Sequence, residues 1–113
     1  MANDFQSIDL KDIGTTDTDF VPTYNVGEVT VHAVYISNQH TADVSVTLVM
    51  TDGANTHKAN ILYNTVVPAY TTIVLEKPIN IPASTVTTTQ RKLRIKASTA
   101  AKLDALASVL VIT

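Results

Sequence analysis

Val29-Thr30-Val31-His32-Ala33-Val34-Tyr35-Ile36 and Val44-Ser45-Val46-Thr47-Leu48-Val49-Met50 are the two stretches whose reading decides the fold. Val29, Val31, Ala33 and Tyr35 recur at every second position in the first, and Val44, Val46, Leu48 and Met50 do so in the second. A period of two places alternate side chains on one face of a pleated strand, whereas a helix needs apolar residues three and four apart. The chain therefore reads as all-β. Val34 and Ile36 make the first stretch apolar on both faces near its middle, which suits a central strand.

Working outward, the signals of strand and turn alternate along the chain. Residues 1–13 are polar apart from Phe5, Ile8, Leu10 and Ile13, a density that fits an extended N-terminal arm or an edge strand. Gly14 and Thr15-Thr16-Asp17-Thr18-Asp19 read as a loop, and residues 20–24 as a short extended piece that Pro22 confines to an edge. Strands are expected over 28–37 and 43–51, joined by a turn at Asn38-Gln39-His40-Thr41 into a hairpin. Asp52-Gly53-Ala54-Asn55 is a strong turn signal, because Gly tolerates positive φ and Asp bonds its own backbone. Strands follow over 58–66 and 71–76, separated by Pro68-Ala69-Tyr70. Pro78-Ile79-Asn80-Ile81-Pro82 reads as a short edge piece or crossover, residues 85–90 as a hydroxyl-rich loop, and 92–97 as a strand with Leu93, Ile95 and Ala97 inward. Residues 98–107 carry helical propensity, yet Val109, Leu110, Val111 and Ile112 favour a strand. The expectation is a tight turn around 100–102 and a final strand from Leu103, with a one-turn helix as the alternative. Seven to nine short strands in one domain spanning 1–113 imply a small antiparallel β-sandwich, jelly-roll or immunoglobulin-like.

Composition narrows the chemistry. The 113 residues contain no Cys and no Trp, which removes disulfide scaffolds, thiolate metal sites and cysteine nucleophiles. A formal net charge of −2 gives no basic field for nucleic acid, and no apolar run approaches the roughly 20 residues of a membrane helix. The N-terminus lacks a basic region followed by an apolar run, so the expectation is a protein made in a cytosol that stays soluble. Charge is uneven, with Asp4, Asp9, Asp12, Asp17, Asp19 and Glu28 early and Arg91, Lys92, Arg94, Lys96 and Lys102 late. Such polarity suits head-to-tail contact between copies or with a mixed-charge partner, and it also suits ordinary solvated faces.

His32, His40 and His57 have no metal-ligand spacing, and no P-loop, nucleophile elbow or dinucleotide fingerprint is present. Asp17-Thr18-Asp19 offers oxygens to calcium but lacks the remaining ligands of a recognised loop. No cofactor is expected. Arg91, Lys92, Arg94 and Lys96 form the sharpest polar feature, either a contact for an acidic partner or a strand face kept soluble by cations. Tyr24, Tyr63 and Tyr70 are the residues that a glycan-binding face would gather. Threonine is the commonest residue, and a cysteine-free, threonine-rich sandwich with an extended arm has the profile of a protein that docks on a repetitive assembly.

Several stretches in order complete this reading: Met1-Ala2-Asn3-Asp4-Phe5, Ile13-Gly14-Thr15-Thr16, Ile36-Ser37-Asn38, Val67-Pro68-Ala69, Ile73-Val74-Leu75-Glu76, Lys92-Leu93-Arg94-Ile95-Lys96-Ala97-Ser98 and Ala107-Ser108-Val109-Leu110. Together they resemble small virion structural proteins of tailed phages, especially phages of aquatic bacteria. The resemblance implies a non-enzymatic, multicopy β-sandwich subunit, made in the host bacterial cytoplasm and carried in the virion. It would decorate the capsid or form part of the neck or tail, contacting other virion subunits and copies of itself rather than nucleic acid or membrane. The expected partner contacts are Phe5, Ile8, Leu10, Tyr70, Arg91, Lys92, Arg94 and Lys96. Where such proteins often carry a glycine turn before the strand at Ile73, this chain has Pro68-Ala69-Tyr70, which marks Tyr70 as an exposed contact residue. A glycan-binding module at a tail or cell surface is the alternative, and a hydrolase a distant third.

Overall fold

Each alternating run of the sequence forms a strand. The computed structural model describes residues 3–113, and within them nine strands and no helix: β1 (Asn3–Leu10), β2 (Thr18–Val21), β3 (Glu28–Asn38), β4 (Val44–Thr51), β5 (His57–Val67), β6 (Thr72–Leu75), β7 (Ile79–Pro82), β8 (Lys92–Ala97) and β9 (Leu103–Ile112). They build two antiparallel sheets. Sheet A has the order β1-β9-β3-β6, with β7 also on β3, and sheet B has the order β2-β8-β4-β5.

The pairs β1 with β9, β2 with β8, β3 with β6 and β7, and β4 with β5 are nested about the β4–β5 turn. A long antiparallel ribbon has thus been rolled up until β9 meets β3 and β8 meets β4. This is jelly-roll connectivity, one of the two sandwich arrangements the sequence left open. Rolling also lays the two ends of the chain side by side, Asn3 facing Ile112.

The core lies between the sheets. Val29, Val31, Val34, Ile36, Val109 and Val111 of sheet A face Val44, Val46, Leu48, Leu93 and Ile95 of sheet B, all buried. Full burial of each such side chain is worth about 1.5–3 kcal/mol, so packing suffices without disulfides. Ile13, in the loop after β1, joins them at 1% exposure. The backbone of Ile13-Gly14 bridges the sheets: Ile13 N–H donates to the Leu103 carbonyl and Ala97 N–H to the Gly14 carbonyl, each at 2.9 Å.

The structure corrects several expectations. Residues 28–51 do not form a hairpin, because β3 lies in sheet A and β4 in sheet B. The tight hairpin is β4–β5, turning at the Asp52-Gly53 signal, where Asp52 Oδ1 accepts from the N–H of Ala54 (2.8 Å) and Thr56 (3.0 Å). Val29, Val31, Ala33 and Tyr35 do not share one face. A bulge between Val31 and Ala33 shifts the register by one residue, so Val34 and Ile36 turn inward and Tyr35 outward. The short piece expected over 20–24 lies earlier, at Thr18–Val21, stopping before Pro22. The N-terminal stretch is an edge strand rather than a free arm, with eight consecutive residues paired to β9. The last segment is a strand from Leu103, as the tight-turn expectation had it.

Gly27 is required by geometry where the chain enters β3. Its φ is +97°, and a Cβ there would sit 2.7 Å from the Ile112 carbonyl oxygen.

Candidate functional site

Strand β8 carries the sharpest polar feature of the sequence, a stripe of cations. On β8, Lys92, Arg94 and Lys96 do point away from the core, but β2 intercepts the first two. Asp19 accepts from Arg94 Nε at 2.8 Å and from Lys92 Nζ at 3.2 Å, and Arg94 Nη2 reaches the Asp17 carbonyl at 3.1 Å. Lys92 is 8% exposed. Burial pushes the Asp19 carboxyl up, but the hydrogen bonds from Lys92 and Arg94 outweigh it and hold the group below its ordinary value. Arg91 donates to the carbonyls of Thr88 and Gln90. The stripe is therefore mostly an internal clamp that fastens edge strand β2. It also occupies the Asp17-Thr18-Asp19 stretch with cations, which opposes calcium there. Lys96, half-buried, lines an open depression with Thr15, Ser45, Thr47 and Asn64.

The outer face of sheet A is the more open surface. Read across the register from β6 to β1, Val74, Tyr35, Leu106 and Asp9 form one row, and Thr30, Leu110 and Phe5 contribute to another. Tyr35, Val74 and Leu106 are each about 40% exposed, and Phe5 is 73% exposed. Phe5 stacks on His32, the residue of the β3 bulge, with ring centroids 6.4 Å apart and planes inclined by 23°. A depression of about 300 Å³ opens beside the first row between Asp9, Lys11, Tyr35, Ser37 and Asp104. Of the three apolar contacts expected in the N-terminal stretch, Phe5 is presented outward. Ile8 and Leu10, opposite Ala107 and Ala105, turn inward and pack on the core.

Tyr70 stands apart from that face, in the β5–β6 turn. Thr71 N–H donates to the Pro68 carbonyl at 3.2 Å, and Tyr70 has φ of +57°, the geometry of a type II turn with tyrosine where glycine is favoured. The ring is 72% exposed. The same end of the sandwich carries Asp12 (φ 55°) and Ala101 (φ 62°) in the β1–β2 and β8–β9 loops. These loops are tied to one another: Ala101 N–H donates to the Ile13 carbonyl, Gln39 N–H to that of Lys102, and Asn38 N–H to that of Thr71. Asn38 is the buried anchor, its side-chain amide donating to the Val67 (2.8 Å) and Ala42 (3.0 Å) carbonyls while its Oδ1 accepts from His40 N–H.

No catalytic grouping appears among these surfaces, and no three His, Asp or Glu side chains converge as metal ligands among the described residues. Nor do the tyrosines gather. Tyr24 packs against the core with its hydroxyl buried, whereas Tyr63 and Tyr70 are exposed. The Phe5–His32 stack and the Asp19 clamp escaped the sequence reading because both join residues far apart in the chain.

No protein-family model and no curated protein matches this sequence. Solved structures do. A chain of infectious bursal disease virus, Gx strain, aligns over 97% of this chain at a TM-score of 0.54 and 12% identity. A chain of cowpea mosaic virus empty particles aligns over 99% at a TM-score of 0.48 and 11% identity. The likeness to the bursal disease virus chain is one of fold. This chain spans 32% of the bursal disease virus chain and 76% of the cowpea mosaic virus chain. At such identity no site residue transfers from either.

Proposed function

We propose that this chain is a non-enzymatic structural subunit of a virus particle, present in many copies and docking through an outer sheet face. The observation that carries the reading is the outer face of sheet A, where Val74, Tyr35 and Leu106 form one exposed apolar row and Phe5, beyond the Ser7–Ser108 pair, stands exposed in another. A face of this kind is what subunit contact covers. The jelly roll is used by capsid and lectin domains alike, so the fold by itself does not choose between them. The similarity to chains from virus particles supports the first, and the dispersal of Tyr24, Tyr63 and Tyr70 speaks against a stacked-ring glycan platform.

Within that reading, the sequence resemblance favours a tailed phage, with the subunit on the capsid or in the neck or tail. Tyr70 and Phe5 are the contacts we assign to partner subunits. A cryo-EM reconstruction of the particle made by the phage that encodes this chain tests the proposal. The expected result is jelly-roll density repeated on the shell lattice, in a ring at the portal, or along the tail. Absence from the particle, together with binding to host polysaccharide, would replace it with the glycan-binding reading.

A further inference from the structure

The sheets have four edge regions, and they are not alike. At the far side of sheet A, β6 and β7 have four residues each, and β7 ends in Pro82, which has no N–H to donate. In sheet B, β2 has four residues, a register shift and the Lys92–Asp19–Arg94 clamp. The other edge of sheet B, β5, is long but departs from β4 by three register shifts, with Asn64 at a left-handed φ of 45°. Shortness, proline and bulges are the means by which sheet edges are kept from pairing with other chains. β1 has none of them. Its eight residues pair with β9 without a shift, and none of the eight is buried.

We infer that β1 is a self-pairing edge: two copies of this chain join β1 to β1, antiparallel, across a two-fold axis through Ser7, into one continuous sheet. The inference deepens the multicopy reading and rests on it for its biological purpose. An edge strand offers unpaired N–H and C=O groups along its free side, which another strand satisfies. The two-fold axis must keep outer face with outer face, so odd residues meet odd and even meet even. With Ser7 facing its own copy, Phe5 faces Asp9, Asp4 faces Leu10, and Lys11 of one copy lies level with Asn3 of the other, next to Asp4. No carboxylate then opposes a carboxylate, although β1 carries Asp4 and Asp9. The same pairing sets the Phe5–Leu110–Thr30 row of one copy level with the Asp9–Leu106–Tyr35–Val74 row of the other. A single ladder of this length is a small interface of the weak, transient class, suited to repetition in an assembly.

The absence of cysteine makes the test direct. Directly opposed residues of an antiparallel pair have Cα atoms about 4.5–5.5 Å apart, within the span of a disulfide. Ser7→Cys in the full chain is therefore expected to form a disulfide-linked dimer under mild oxidation at least about tenfold faster than Val86→Cys at equal concentration, because pairing raises the local thiol concentration. Val86 is the control because it is 56% exposed in a loop remote from β1 in sequence. Ser7→Lys, which opposes like charges across the axis, is expected to abolish concentration-dependent association seen by sedimentation, with an unchanged unfolding midpoint. Equal oxidation rates for the two cysteine variants, or association that survives Ser7→Lys, would overturn the inference. A subunit found in the virion without β1 pairing defeats this inference alone, while β1 pairing in a protein absent from any particle defeats the functional reading alone.

Discussion

Tyr70 occupies a backbone position that glycine adopts without steric cost. A non-glycine residue at φ +57° carries roughly 1–2 kcal/mol of strain, part of which glycine would return through its larger unfolded-state entropy. Tyr70→Gly is thus expected to leave stability unchanged or raise it by up to about 1 kcal/mol in urea titrations, and under the proposed function to weaken attachment to partner subunits. A loss of stability greater than that would mean the ring supports its own domain. Asp19 and Asp52 belong to the same scale. Two lysine and arginine hydrogen bonds outweigh burial at the first. At the second, the Thr56 N–H leads and Ala54 N–H and Lys58 assist, so that both carboxyls lie below their ordinary value of about 3.9. A folded state that holds fewer protons than the unfolded chain is stabilised above that value and loses the contribution as pH falls through the folded-state values. The stability gap between the parent protein and Asp52→Asn should therefore be larger at pH 6 than at pH 3. A gap independent of pH would show that the carboxylate charge is immaterial to the turn. Asp19 is more than half exposed at its side chain, so its ion pairs contribute on the surface scale, about 0.2–1 kcal/mol each.

At the scale of the element, β1 is part of the fold. It covers β9, it places Ile8 and Leu10 on the core, and it leads into Ile13, buried at 1% exposure. Deleting residues 1–13 is expected to abolish cooperative unfolding by circular dichroism, and Ile13→Ala alone to cost about 2–5 kcal/mol. A folded, merely non-associating truncation would restore the picture of a free arm. That picture arose because Phe5, Ile8 and Leu10 are too sparse to show in sequence which neighbour receives them. Strand positions elsewhere were legible: β4, β8 and β9 fall where alternation and turn residues put them. The face of β3 was not, since the bulge at His32 is a tertiary accommodation that no local pattern announces. Sheet membership was illegible for the same reason. Residues 38–43 look like a hairpin turn, but Asn38 is committed to Val67 and Ala42, and this draws the chain across the end of the sandwich into sheet B. Of the candidate contacts, Tyr70 was marked in sequence by standing where a glycine turn is usual and Phe5 by its place in the sparse N-terminal stretch, whereas the capture of Lys92 and Arg94 by Asp19, more than 70 residues earlier, was not legible.

At the scale of the whole molecule, the nested ribbon joins distant parts of the chain, Asn3 with Ile112 and Thr18 with Ile95, around the nearer pairing of Val44 with Val67. Loops this long must close before their contacts reward them, which places folding in the millisecond-to-second range of β-sandwiches rather than the microseconds of helical bundles. Stopped-flow refolding should show it, with β4–β5, the shortest loop, as the earliest pairing and β1–β9 as the last. The rolled ribbon has another consequence. Neighbouring strands run about 4.8 Å apart, so the first and last strands leave the sandwich together, like the two legs of a staple. A short glycine linker joining the stretch before Asn3 to that after Ile112, with new ends cut at Ala54 in the β4–β5 turn, should give a circular permutant that folds to the same sandwich, measurable by an unchanged far-ultraviolet spectrum. A module with its entrance and exit at one point can be spliced into a single loop of a host chain without prying that host apart.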